Sequence, residues 1–316
     1  MKNLIQKYNQ TVNFILMHGG VGDHVSSIVA LNYIISTYTH ITPRIYTPDY
    51  FKEFTKYFLP NSLVYDYSAM KFNYNRALPT RTTEWDGVIS PMRLHCTDYA
   101  FMKLCDNIPD IEHRNYPQIT PDSIDVSKFN LPDKFIVLTT GYTASVRAWK
   151  SEYINGISNF AINNGLNVVF LGQTSTKTGS AHNIKGTFDD KIDYNLGINL
   201  IDKTSLLEAA AIMAKSQAVL GVDNGLLHIA ACTQVPIIAG YTTVDPKARI
   251  PIRNNVSGWN YYAVTPDNDL ECRFCQSNTN FLYGHKYTNC LTKTFKCVDN
   301  MEGSKFIRIL QEILNK

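Results

Sequence analysis

The stretch AVLGVDNGLLHIAACTQVPIIAGYTTVDP, residues 218–246, places a complete structural unit within one short segment. AVLGV is a short apolar run of the kind that forms a strand buried on both faces. Asp223, Asn224 and Gly225 interrupt it, and GLLHIAACTQ resumes with apolar residues at helical spacing. VPIIAGY then reads as the next strand and ends in the turn Thr242–Thr243–Val244–Asp245. Strand, helix and strand joined in this way form a βαβ unit, whose strands run parallel with a right-handed crossover. The 223–225 turn then sits at the carboxyl edge of a sheet, where open α/β folds bind ligands. A helix starting there presents free N–H groups and a positive dipole end, a setting suited to a diphosphate.

The same alternation runs through the rest of the chain. In the second half, KFIVLTT (134–140) and NVVFLG (167–172) read as strands, and TSLLEAAAIMAKS (204–216) reads as a helix. SEYINGISNFAINNG (151–165) reads as a helix opened by Ser151 and closed by Gly165. In the first half, VNFILM, RIYT, SLVYDY and WDGVIS read as strands, while DHVSSIVALNYIIS, DYFKEFTKYF and CTDYAFMKLCDN read as helices. The polar, proline-bearing stretch 114–134 is the best seam, giving domains 1–130 and 131–316, each an open sheet of doubly wound α/β type. The amphipathic helix 304–316 is expected to pack back on the N-terminal domain.

Composition narrows the function classes. The chain has 316 residues, 44% of them hydrophobic and 18% charged, which describes a folded protein with a large core. MKNLIQKYNQ lacks the apolar run of a signal peptide, and the expectation is a cytoplasmic protein with reduced cysteines. Residues 1–130 carry 12 Lys/Arg against 12 Asp/Glu, and residues 131–316 carry 18 against 15. That balance speaks against a polymer-tracking nucleic-acid binder. One local exception, KFNYNRALPTR (71–81), is either a solvated loop or an arm for an anionic acceptor.

A second glycine-rich turn, MHGGVGDHVSS (17–27), follows the first strand. No lysine stands where a P-loop requires one, and the dinucleotide pattern G-x-G-x-x-G fits Gly20 and Gly22 but fails at Val25. What remains is a tight turn into a helix that begins near Asp23. Two roles are open to Asp23: helix N-cap, or a side chain that meets a ligand across the cleft.

Segment 218–246 resembles the nucleotide-sugar signature of glycosyltransferase family 9, the family of the lipopolysaccharide heptosyltransferases. Asp223, Gly225, His228, Ala230, Ala231 and Pro236 match its pattern D-[ST]-G-x-x-H-x-A-A-x-x-x-x-P, with Asn224 in place of Ser or Thr. Gly22–Asp23 with VSSIVAL, Arg147 in VLTTGYTASVRAWKSEYINGI, Ser205–Leu206–Glu208, and CRFC (272–275) resemble further family features in the same order. The resemblance implies a GT-B architecture of two Rossmann-like domains facing across a cleft. It also implies inverting, metal-independent transfer from a nucleotide-diphosphate sugar.

In that scheme Asp23 is the catalytic base. Arg147, Asp223, Asn224, Gly225, His228, Thr242 and Thr243 face the donor diphosphate, and Glu208 faces the ribose. Gly19, Gly20, Gly22, His95 and Asp98 lie on the acceptor side. Each has a plainer alternative: N-cap for Asp223, core residue for His228, N-terminal helix residue for Asp98, and surface charge for Arg147 and Glu208. The implied acceptor is a lipopolysaccharide core-type glycan, reached with peripheral membrane contact. Two other readings stay open: transfer to hydroxymethylated pyrimidines in DNA, as in phage enzymes, and nucleotide-sugar binding without turnover.

Cys272, Cys275, Cys290 and Cys297 form C-x2-C-x14-C-x6-C around His285. The spacing admits a structural zinc site that holds a loop, or simply reduced thiols. Cys96, Cys105 and Cys232 fall on helices and read as core.

Overall fold

The computed structural model describes residues 10–16, 20–69, 80–82, 95–105, 107–142, 144–174, 191–253, 260–277, 290 and 292–316. In the first half, β1 (Gln10–Ile15), α1 (Val21–Thr37), β2 (Ile41–Thr47), α2 (Asp49–Phe58), β3 (Leu63–Asp66), β4 (Thr80–Thr82) and α3 (Cys96–Cys105) follow in order. The second half continues with β5 (Phe135–Thr139), α4 (Ser151–Asn163), β6 (Asn167–Leu171), β7 (Ile198–Asn199), α5 (Leu206–Lys215), β8 (Val219–Val222), α6 (Gly225–Ala231) and β9 (Ile237–Gly240). It ends with α7 (Pro246–Arg249), β10 (Tyr261–Val264), α8 (Lys296–Asp299) and α9 (Gly303–Leu314). Among these residues the strands form two sheets, ordered β3-β2-β1-β4 and β10-β9-β8-β5-β6-β7. Every pairing is parallel.

The sheet alternation expected from the sequence is present, and burial explains it. All of β5 and β8 is buried, as their continuous apolar runs require. Along β5 the side chains alternate between two cores: Val137 belongs to one, Ile136 and Leu138 to the other. The first core continues from Ile28, Phe54 and Phe101 of the N-terminal half to Met213, Leu227 and Ile237 of the C-terminal half. The two halves therefore share one apolar contact, with α1 packed on both α3 and α6.

Several expectations are corrected. Helix α9 packs on α4 and on the β9–β10 edge, within the C-terminal half, and not back on the N-terminal domain. The reason is Phe306, fully buried with its ring 4.6 Å from that of Trp149, in the core cluster of the C-terminal half. Lys150, not Ser151, occupies the N-cap of α4. Gly165 does close that helix, in the left-handed region at φ +74°. The last residues of the 71–81 stretch belong to β4, whereas residues 71–79 and the strand read at 85–90 lie outside the described residues. Among the described residues no helix is long and apolar enough to cross a membrane.

Candidate active site

The first turn of α1 carries Asp23. Gly20 is the N-cap, extended at φ −80° and ψ 179°, so Asp23 is the third helical residue and not the cap. It closes the turn from inside the helix, its Oδ2 accepting the Gly20 N–H at 2.8 Å. The next residue, His24, is buried beside Phe51 with ring centroids 4.7 Å apart. Its Nδ1–H donates to Gly20 O at 3.0 Å, a tautomer assigned from that bond. Burial lowers the His24 pKa and keeps the ring neutral. Tyr50, at the start of α2, faces the same corner; burial and then the Asp23 charge push its phenol up to about 12.

The matching turn in the C-terminal half is held at several points. Asn224 is the N-cap of α6, its Oδ1 accepting the Leu226 N–H at 3.0 Å. Its amide nitrogen donates to Thr139 Oγ1 and Gly141 O, each at 3.2 Å, which ties the turn to the end of β5. Asp223 is therefore free of capping duty, and its Oδ2 lies 3.4 Å from Arg147 Nη1. Both side chains are about nine-tenths buried. Thr242 donates its hydroxyl to Val146 O at 2.5 Å, so it fixes the turn that carries Arg147. Thr243 is buried, and its carbonyl accepts the Gln276 N–H at 2.9 Å.

The two turns touch. A Cβ on Gly22 would lie 2.6 Å from His228 Cδ2, and a Cβ on Gly225 would lie 2.7 Å from Val21 Cβ. Only glycine at both positions allows α1 and α6 this approach. His228 is buried at the contact with a pKa lowered to about 4, chiefly by burial. The Asp223 and Asp23 charges both act on its ring in the opposite sense, and Arg249 and His95 reinforce the lowering. Carboxylate charges from the two halves thus act on one neutral imidazole.

Other candidate residues have structural partners. His95 accepts the Thr97 N–H on Nδ1 at 3.2 Å and donates from Nε2 to Ile250 O at 2.7 Å, linking the two halves. Asp98 pairs with Arg114 at 2.6 Å. Glu208 completes a capping box with Ser205 and pairs with Lys128 at 2.5 Å. The charge pattern around Tyr50 and Arg249 escaped sequence reading. The one available signal was position, since both follow a strand at its carboxyl edge.

The four C-terminal cysteines share one neighbourhood. Burial pushes Cys275 up to about 11 and Cys297 up to about 12, with the other thiols of the set adding to both. Cys290 goes the other way: burial raises it, but bonds from Thr292 and the Phe295 N–H, the latter at 3.4 Å, outweigh that. A sulfur accepting N–H bonds is stabilised as thiolate, the form that binds metal. Among the described residues no three of these sulfurs lie within 4.8 Å of one another, and His285 lies outside those residues. Asp110, Glu112 and His113 do bring ligand atoms that close, but all three are exposed.

Residues 78–276 match the sequence profile of Glycosyltransferase family 9 (heptosyltransferase). The chain belongs to glycosyltransferase family 9. Within that family it is 38% identical over 60 residues to lipooligosaccharide heptosyltransferase 2 of Haemophilus influenzae, a match covering 19% of this chain and 17% of that relative's length. The iron-containing dodecameric glycosyltransferase TibC of enterotoxigenic E. coli H10407 shares the fold at a TM-score of 0.71 and 12% identity, covering 97% of this chain and 78% of TibC. A second TibC structure, solved with ADP-D-beta-D-heptose, gives a TM-score of 0.75 at 11% identity, covering 98% of this chain and 77% of that one. The E. coli ADP-heptose lps heptosyltransferase II aligns at a TM-score of 0.64 and 13% identity, covering 96% of this chain and 98% of that one. The fold of this family 9 chain is GT-B, two parallel α/β units meeting at a cleft.

Proposed function

We propose that the protein transfers a sugar, in the first place a heptose, from a nucleotide-diphosphate donor to an acceptor hydroxyl on a lipopolysaccharide core-type glycan, with inversion and without a catalytic metal. One observation supports this reading: the turn before Asp23 and the Asp223–Asn224–Gly225 turn meet, with His228 against Gly22 and Gly225 against Val21, and the charges of Asp23 and Asp223 both act on the His228 ring. Residues 1–130 then form the acceptor domain and residues 131–316 the donor domain. The capture of ADP-D-beta-D-heptose by TibC, which has the same fold, supports a donor of that class.

The chemistry follows from the placement. The acceptor oxygen attacks the anomeric carbon on the face opposite the diphosphate, and Asp23 takes its proton as the new bond forms. The electrons of the breaking carbon–oxygen bond pass to the diphosphate oxygen. Arg147, oriented by Asp223, supplies a fixed cation for that charge. Backbone N–H groups of Asn224 and Gly225 contribute partial positive charge, the Leu226 N–H being taken by the Asn224 cap, while Thr242 acts through the Arg147 turn. His228, neutral and wedged against Gly22, keeps the two turns in register. Gly20, Gly22 and the buried face of Tyr50 shape the acceptor side.

The four cysteines would hold a structural metal away from the reacting atoms. The thiolate-favouring bonds at Cys290 fit such a group, and iron joins zinc as a candidate because TibC is iron-containing. The test of the main reading is incubation with nucleotide-diphosphate sugars and a heptose-deficient lipopolysaccharide core, followed by mass spectrometry. A mass gain of one sugar on the glycan is the expected result; donor binding with no gain on the glycan, or a gain on hydroxymethylated DNA alone, overturns it.

A further inference from the structure

The turn after β9 leaves the donor sheet at its carboxyl edge and enters α7, which ends at Arg249. Asp245 caps this helix by accepting the Lys247 N–H at 2.9 Å, and the Ile250 N–H bonds back to Pro246 O at 2.7 Å. The backbone on either side of Arg249 is thereby fixed. Arg249 itself is 7% exposed. Ile250 receives the His95 ring N–H from the N-terminal half, and Pro251 and Ile252 line a narrow cavity between the domains together with Ser26, Thr97 and His228. Arg249 is thus a buried residue at the end of α7, between the Thr242–Asp245 turn of the donor sheet and the 250–252 segment that meets the N-terminal half.

Its charge reaches groups on both sides. His95 and Cys96, at the start of α3, and His228, on α6, all sense the Arg249 guanidinium. Asp23 and Asp223 act on Cys96 and His228 as well. The crevice thus sets Asp23 and Asp223 against Arg147 and Arg249, with His95 and His228 held neutral by burial. Arg147 already faces Asp223 at 3.4 Å. An incoming diphosphate brings charge that one guanidinium, shared with a carboxylate, does not balance. A second arginine remains cationic at any physiological pH and grips phosphate oxygens through a planar fork.

We propose that Arg249 is a donor-binding residue, the guanidinium that meets the sugar-bearing phosphate beside Arg147 and holds the leaving diphosphate. The assignment rests on the sugar-transfer reading above and adds to it a residue outside the 223–225 turn. As the bond from the anomeric carbon to the phosphate oxygen breaks, its electron pair stays on that oxygen, and the Arg249 N–H groups stabilise the charge without accepting or giving a proton.

Calorimetry with ADP, UDP, GDP and CDP and the corresponding nucleosides tests this. For the wild-type protein at least one diphosphate is expected to bind more tightly than its nucleoside. Arg249→Gln should weaken that diphosphate about 10- to 100-fold, the worth of a lost charge-assisted hydrogen bond, while the nucleoside keeps its affinity. Arg249→Lys, which retains the charge but not the fork, should fall between them, and it carries the test alone if Arg249→Gln does not fold. Equal losses for nucleoside and diphosphate, or no loss in either variant, overturn the assignment and leave the transfer reading standing. Failure of the wild-type protein to bind any of the diphosphates removes both.

Discussion

His228 fills the space that a side chain on Gly22 would need: a Cβ there would stand 2.6 Å from Cδ2 and 2.9 Å from Nε2 of the ring. Gly20, two residues earlier, has nothing within 4 Å of the corresponding position among the described residues. The pair supplies a controlled experiment on the contact between the domains. Gly22→Ala should lower stability by about 1–3 kcal/mol through overpacking and reduce kcat/KM, while Gly20→Ala should cost only the loss of a favoured cap residue, about 1 kcal/mol or less, and leave kcat/KM near normal. Combining Gly22→Ala with His228→Ala should recover part of the loss, because the two positions share one space. Thermal unfolding of the four proteins checks this, and identical melting shifts for the two glycine variants would show that the contact does not constrain the cleft.

Asp23→Asn separates the capping role from the chemical one. The amide retains an oxygen that accepts the Gly20 N–H, so the 2.8 Å bond that closes the first turn of α1 can persist. It offers no basic lone pair to an acceptor hydroxyl. Transfer should drop about 10²- to 10⁴-fold, the usual worth of a positioned base, with nucleotide-diphosphate affinity within a few-fold of wild type. Single-turnover rates and calorimetry on the same preparation make the comparison, and near-normal transfer by Asp23→Asn removes the base assignment.

The alternation of apolar runs with helical spacing made both sheets legible, because strands such as β5 and β8 are buried on both faces and show it in composition. The partner of α9 was not legible, since an amphipathic pattern shows that a face is covered but not by what. Trp149 and Phe306 are far apart in sequence, and only the folded chain brings their rings together. The same limit hid the ion pair of Asp98 with Arg114 and that of Glu208 with Lys128. Local geometry corrected Asp23 as well: the glycines before it let Gly20 take the cap, moving the carboxylate one turn into the helix.

The buried imidazoles make stability depend on pH. His228 has a folded-state pKa of about 4, below the ordinary 6.5 of an exposed ring, mainly through burial. Between these values the unfolded chain binds a proton that the folded chain does not. Stability from this site is therefore fully present above about pH 6.5, falls as pH drops through that window, and changes no further below about 4. The span corresponds to roughly 3 kcal/mol as an upper figure. Asp223 and Asp23 oppose the shift from one side, while Arg249 and His95 support it from the other. Burial lowers His24 and His95 in the same direction. The wild-type melting temperature should fall steadily from pH 7 to pH 4.5, and His228→Asn should flatten part of that slope. An unchanged slope would place the dependence at other groups.

A metal on the cysteine set makes the last prediction, and the sulfurs suggest which substitutions report it. Cys290 accepts backbone N–H bonds that favour thiolate, whereas Cys275 and Cys297 are pushed towards the neutral thiol by burial and by neighbouring thiols of the set. A divalent or trivalent ion would remove that mutual repulsion by binding all of them as thiolates. The four sulfurs must then draw together, since ligation requires distances near 2.3 Å to a common centre. Protein purified without chelator should carry about one iron or zinc per chain by elemental analysis, and Cys275→Ser should abolish it. Chelation should lower the melting temperature of the wild-type protein and leave that of Cys275→Ser unchanged. The transfer rate per folded molecule should stay within a few-fold, because the Phe274 and Gln276 N–H bonds to the Thr242 and Thr243 carbonyls hold the 271–277 turn in place without a metal. Metal-free protein with an unaltered melting curve would leave these cysteines as ordinary thiols.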